Sequence, residues 1–151
     1  MNDDFYMNLA IKEAGKAAKI NEVPVGAVIV DGDSNVIGYG YNSPISSNDP
    51  TSHAEINAIR MACRSVKNYR LINTVLYVTI EPCIMCMGAI IHARIKRVVF
   101  GANDAKWGAV HSLYTMADDK RFNHNPEIVS GICKEKTRQI MKSFFKDKRS
   151  K

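Results

Sequence analysis

Two short pieces of this sequence carry groups that could do chemistry together. His53-Ala54-Glu55 offers an imidazole and a carboxylate two residues apart, and Pro82-Cys83-Ile84-Met85-Cys86 offers two thiols three apart. One imidazole and two thiolates suit zinc, and three protein ligands leave the fourth tetrahedral position open, as catalytic rather than structural zinc sites do. A water in that position is far more acidic than bulk water and becomes a nucleophile near neutral pH. We therefore expect His53, Cys83 and Cys86 to hold one Zn2+ and Glu55 to serve as the catalytic proton carrier of a hydrolysis. Taken singly, the pieces read differently. Ser52-His53-Ala54-Glu55 fits a capping box, with Ser52 capping a helix and Glu55 reaching back to it. A lone Cys-x-x-Cys fits a redox pair. A small RNA-binding module with a structural zinc needs a fourth ligand, and only three residues have suitable spacing.

The elements that must position these residues follow from local pattern. Residues 3–20 space Tyr6, Leu9, Ala10, Ala14 and Ala17 at three- and four-residue steps, the pattern of an amphipathic helix. Residues 23–30 are a short apolar, β-branched run, Asp31 to Ser34 is turn chemistry, and residues 36–41 form the second arm of a hairpin. Asn42 to Ser52 reads as a loop. Residues 53–66 predict a helix with Ala54, Ala58, Ala62 and Val66 on one face, and residues 74–80 a third strand. Pro82 marks the start of a helix over 83–93, because its missing N–H is not needed in a first turn. A fourth strand over 97–100, a short helical stretch near 112–117, a last strand over 127–130 and a helix over 131–148 complete the chain. A hairpin followed by alternating strands and helices predicts a mixed sheet of about five strands with helices on both faces, in a single domain over residues 1–151. In such a sheet the two helix starts can meet at one edge, where the partial positive charge of helix amino termini favours thiolates.

Composition narrows the class. The chain has 151 residues, 46% of them apolar, enough for a buried core. No apolar run reaches the roughly 20 residues that a membrane span needs. The start, Met1-Asn2-Asp3-Asp4, lacks the basic-then-apolar order of a secretory signal, and four cysteines without one fit a reducing compartment. We expect a cytoplasmic protein with no membrane partner. The net charge is +6, and all of the excess lies in residues 134–151, with eight basic residues against two acidic. That end either attracts phosphates or is a solvated helix face.

His53-x-Glu55 followed by Pro82-Cys83-x-x-Cys86 resembles the signature of the zinc-dependent nucleoside and nucleobase deaminases. Further stretches resemble the bacterial tRNA-specific adenosine deaminases: residues 23–28, Asp49-Pro50-Thr51, Asn68-Tyr69-Arg70-Leu71, residues 76–79 and 97–102, Asp104-Ala105-Lys106 and Phe144-Phe145. The resemblance implies a cytidine-deaminase-like three-layer α/β/α sandwich. It implies hydrolytic deamination of the wobble adenosine of a tRNA anticodon to inosine, with Glu55 moving the water proton to the ring and then to departing ammonia. It also implies one zinc per subunit, a homodimer, and the tRNA anticodon stem-loop as partner. Asn42, Ala54, Asp104, Lys106, Phe144, Phe145 and Arg149 are the implied substrate-binding residues, with N–H groups near Ala54 and Cys83 helping to hold the reacting oxygen. A deaminase of free guanine or cytosine is the alternative within the class. Trp107 departs from the pattern, which has small residues there. It would stack on a nucleotide or narrow the entrance. Cys63 and Cys133 match no zinc role, and His92, His111 and His124 read as surface or capping histidines, although His124 also matches a family position.

Overall fold

The computed structural model describes residues 2–150. The two end positions of the expected domain, 1 and 151, lie outside the described residues. Helix α1, Asp3–Lys19, starts where the Asn2 side chain accepts the Phe5 N–H at 3.0 Å, with Asp3 and Asp4 in its first turn and Lys16 and Lys19 in its last. Those charges complement the helix dipole at each end. The hairpin follows as β1, Gly26–Val30, and β2, Val36–Tyr41. Its turn is set by Asp31, whose carboxylate accepts the N–H groups of Asp33 and Asn35, both at 2.9 Å. Residues 23–25 stay outside β1: Pro24 has no N–H for a ladder, and Val25 gives its own to Val23 O at 2.8 Å.

The remaining elements are α2 (Pro44–Ser47), α3 (Ala54–Val66), β3 (Val75–Ile80), α4 (Ile84–Ala93), β4 (Arg97–Ala102), a 3₁₀ turn at Met116–Asp118, β5 (Glu127–Val129) and α5 (Lys134–Arg149). The sheet order is β2-β1-β3-β4-β5, with β1 antiparallel to both neighbours and β3, β4 and β5 parallel. β1 and β3 are buried along their whole length, which explains their continuous apolar runs. Alternate residues serve two cores. Tyr6, Met7 and Ala10 of α1 pack on Val28, Val30, Val75, Tyr77 and Val99. Ala54, Ala58 and Ala62 of α3, with Met87 and Ile90 of α4, pack on Ala27, Ile29, Leu76, Val78 and Phe100. α5 lies on the α1 side, where Lys136 donates to Asn8 at 2.7 Å. The expected three-layer α/β/α sandwich with a five-stranded mixed sheet is what the chain adopts.

Several local expectations are corrected. The loop over 42–52 contains α2, whose first N–H groups, from Ile45 and Ser46, are accepted by the buried Glu22 carboxylate. The residue capping α3 is His53, and its capping box is not formed. Ser52 bonds Ser43 instead (2.7 Å between hydroxyl oxygens), and the Ala54 N–H goes to Asn42 Oδ1. Val66, placed on one face with Ala54, Ala58 and Ala62, is 43% exposed in the last turn, whereas those three are buried. α5 begins at 134 rather than 131, because Gly131 and Cys133 both have positive φ.

One ion pair ties the amino terminus to the sheet. Arg97 at the start of β4 grips both Asp3 oxygens at 2.9 and 2.8 Å, and the Tyr77 hydroxyl donates to the same carboxylate at 2.8 Å. Arg97, then Tyr77, hold the Asp3 carboxyl below its ordinary 3.8, against the opposing effect of burial. As pH falls, the unfolded chain takes up this proton before the folded one. The stabilisation is therefore complete above the ordinary value and is lost as pH drops through the folded value. Asp3→Asn is expected to cost about 1–3 kcal/mol at neutral pH and much less in acid. Urea unfolding at about pH 7 and about pH 3 measures this, and an equal cost at both would refute the assignment.

Candidate active site

Because β1 runs antiparallel to both β2 and β3, those two strands point the same way and end at the same sheet edge. α3 follows β2 after a loop, and α4 follows β3 after Glu81-Pro82-Cys83, so both helices begin at that edge. α3 approaches very closely. A Cβ at Gly40 would lie 2.1 Å from Ala54 O, and one at Gly38 would lie 2.4 Å from Ala58 O. A side chain at either position would push His53 away from the cysteines. Asn42 ties the strand end to the helix start: its N–H donates to Val25 O at 3.1 Å, and its Oδ1 accepts the Ala54 N–H at 2.9 Å. Asn57 braces the same corner, donating to Tyr41 O at 3.0 Å and Ser52 Oγ at 3.1 Å.

This packing brings three donors together across 30 residues of sequence. His53 Nδ1 lies 3.6 Å from both Cys83 Sγ and Cys86 Sγ, and all three donor atoms are within 4.8 Å of one another. A tetrahedral ion with Zn–S of about 2.3 Å and Zn–N of about 2.0 Å holds nitrogen and sulfur about 3.6 Å apart, so the donor set fits zinc. The thiols are not equivalent. A hydrogen bond from Cys86, with further help from His53, pulls the Cys83 thiol down to about 4 despite its burial. Cys86, which shares that bond and is fully buried, is pushed above its ordinary value. His53 is raised, chiefly by its bond with Cys83. Glu55, 4% exposed at the same corner, is raised by burial to about 7.

The site opens into a cavity of about 480 Å³ lined by His53, Glu55 and Cys83, together with Asn42, Asp104 and Trp107. Asn42, Glu55 and Asp104, all expected at the site, line the same cavity as His53 and Cys83. The Ala54 N–H, expected to face the reacting oxygen, is committed to Asn42. Lys106 is exposed beside Trp107, with Nζ 6.0 Å from its ring centre. Phe145 and Arg149 line a separate groove on α5 with Lys142 and Lys146. Phe144 is half-buried, edge-on to Phe145 with ring centres 5.4 Å apart. Met141 lines both the cavity and the groove. His124 donates to or accepts from nothing at the site; its Nε2 contacts Ile95 O at 2.6 Å.

The sequence reading missed Glu81. Its buried carboxylate meets the N–H groups of Asp104 (3.1 Å), Val110 (3.0 Å), His111 (2.9 Å) and Ser112 (3.1 Å), the Asn103 amide (3.2 Å) and the Ser112 hydroxyl. These bonds outweigh burial and hold it down at about 2. Glu81 thereby folds residues 103–112 against the cavity. The available signal was an acid closing an otherwise apolar strand, directly before Pro82. Glu81→Gln puts an amide N–H₂ against backbone donors at one oxygen or the other and removes the charge. We expect faster hydrogen exchange across residues 103–112 and a loss of about 1.5–3 kcal/mol, with α1 and β1 unaffected locally. Unchanged exchange in that loop would show that Glu81 does not organise it.

Comparison with known proteins gives a consistent picture. Residues 1–102 match the family described as the cytidine and deoxycytidylate deaminase zinc-binding region. The tRNA-specific adenosine deaminase of Haemophilus influenzae is 49% identical over 147 residues, 97% of this chain and 85% of that protein. A structure from work on A-to-I editing by tRNA:A34 deaminases at the wobble position superposes with a TM-score of 0.87 at 43% identity, covering 90% of this chain and 98% of that one. Guanine deaminase from Bacillus subtilis matches less of the chain: TM-score 0.64 and 42% identity, over 68% of this chain and 66% of that one.

Proposed function

The chain belongs to the cytidine and deoxycytidylate deaminase family, and we propose that it hydrolyses the wobble adenosine of tRNA anticodons to inosine. The observation that carries this reading is the cation-lined groove on α5, which shares Met141 with the lining of the cavity. A free base has no use for that groove, whereas an anticodon stem-loop does. His53, Cys83 and Cys86 are the residues that would hold one zinc per chain, whose chemistry is Lewis-acid activation of water.

The protein's own residues do the rest. Glu55 takes the proton of the attacking water and passes it to the adenine ring nitrogen. As the C6–O bond forms the new hydroxyl keeps one proton. Glu55 then takes that proton and delivers it to the amine, so that the C6–N bond breaks, C6=O remains and ammonia leaves. Burial at the cavity floor suits a carboxyl group that must both accept and donate near neutral pH. Asn42 has its Oδ1 committed to Ala54, which leaves its amide N–H groups for the nucleoside. Asp104, held by Glu81 at the rim, stands ready to accept from the substrate. Lys106, Phe144, Phe145 and Arg149 would neutralise and stack on the RNA outside the cavity. The reading includes a homodimer working in the cytoplasm. No helix among the described residues is long and apolar enough to cross a membrane.

The test is direct. Zinc-loaded protein is incubated with an anticodon stem-loop bearing the wobble adenosine, and separately with free adenosine, guanine and cytosine. Inosine from the RNA alone is expected, and product from a free base with none from RNA would sink the proposal. Glu55→Ala is expected to keep one zinc by elemental analysis while losing about 10²–10⁴ in rate. His53→Ala is expected to lose the metal. Loss of zinc from the Glu55 variant would make that residue a ligand instead.

A further inference from the structure

We propose that Trp107 is a stacking platform for an unpaired nucleobase that adjoins the adenosine entering the cavity, an inference that rests on the RNA reading above. Trp107 is the only tryptophan of the chain, and it is 60% exposed while lining the same cavity as His53, Glu55 and Cys83. The cavity takes the base that reacts, and the chain of an RNA continues past it, so the neighbouring base must lie at the rim where the indole stands.

The indole's place is built. The backbone N–H of Trp107 donates to Asp104 Oδ1 at 3.1 Å, as does that of Lys106. Asp104 is in turn held through its N–H by Glu81, and its carbonyl accepts the Gly108 N–H at 2.8 Å. Gly108 forms a bridge to Cys83 and lies so near Glu81 that a Cβ there would come within 2.4 Å of the carboxyl carbon. The backbone that carries this exposed ring is thus fixed relative to the zinc donors through short links, so only side-chain torsions are left to settle when a base stacks on it. Lys106, beside the ring, places a cation where the phosphate next to a stacked base would run. The platform sits on the 103–112 loop and is separate from the α5 groove, so the two contacts can be removed independently.

A lone tryptophan reports on its own environment. In zinc-loaded full-length protein, titration with the wobble-adenosine stem-loop is expected to quench its emission. The same stem-loop with abasic residues on both sides of the adenosine should quench it far less. Trp107→Ala is expected to raise KM for the stem-loop about 5- to 100-fold with little change in kcat, the effect of losing one stacked base. Trp107→Phe should recover most of that loss, which a merely structural role would not predict for so exposed a side chain. Unquenched emission at RNA concentrations that yield inosine, or an unchanged KM in Trp107→Ala, overturns the inference and leaves the reaction standing. Emission that follows protein concentration rather than RNA would place Trp107 at an interface between copies and overturn it as well. If no RNA yields inosine, the reaction fails and this inference fails with it.

Discussion

The contact of one imidazole with two cysteine sulfurs sets the terms for the whole molecule. His53 and the cysteines are 30 and 33 residues apart, yet the three donor atoms must meet within a few ångströms. Helix starts at a sheet edge meet this need because their backbones are anchored by the strands before them. β2 and β3 deliver α3 and α4 to the same edge only because β1 runs antiparallel between them. The glycines at 38 and 40 follow from the same constraint. They forgo side chains in a strand so that α3 can sit directly on the backbone, and the weaker β propensity is offset by the all-alanine contact face of the helix.

Around that contact three buried acids, Glu22, Glu55 and Glu81, have distinct tasks. Glu22 holds the start of α2, and Glu81 holds the loop at the cavity rim. Glu22 accepts two backbone N–H groups. Glu81 accepts four together with a side-chain amide and a hydroxyl, a donor set that keeps the Glu81 carboxylate ionised away from water. Glu55 is the contrast. It lacks that set of backbone donors, and burial raises rather than lowers its affinity for a proton. Two carboxyl groups near one cavity thus behave oppositely: Glu81 is a fixed negative anchor, and Glu55 is a group that can change its protonation state.

What could be read from sequence follows the range of the forces involved. The hairpin, the strand–helix alternation and the set His53, Glu55, Cys83 and Cys86 rest on local periodicity and short spacing, and they were legible. The cap of α3 was not, because Asn42 lies 12 residues before Ala54 and a nearer capping box fits the local pattern equally well. Glu81 was hidden for a related reason. An acid on an apolar face reads as a break in the pattern, and only its partners reveal its purpose. The start of α5 depended on positive φ at Cys133, a conformation that residue type does not announce.

The layout also separates chemistry from recognition. The zinc donors and Glu55 lie in β-flanked helix starts within residues 1–102, whereas the Trp107 loop and the groove on α5 come after them. A base inside a closed corner meets nearly the same groups whether it arrives free or as part of an RNA. The difference between those substrates must therefore be read outside the corner, by surfaces that meet a ribose-phosphate chain. The late third of this chain is where the basic excess and the exposed aromatic side chains of the rim are concentrated. The two regions meet at the cavity wall through Glu81, the Cys83–Gly108 bridge and Met141. Exposed side chains that make none of these contacts, such as Trp107, are therefore where substrate choice can change without disturbing the zinc donors.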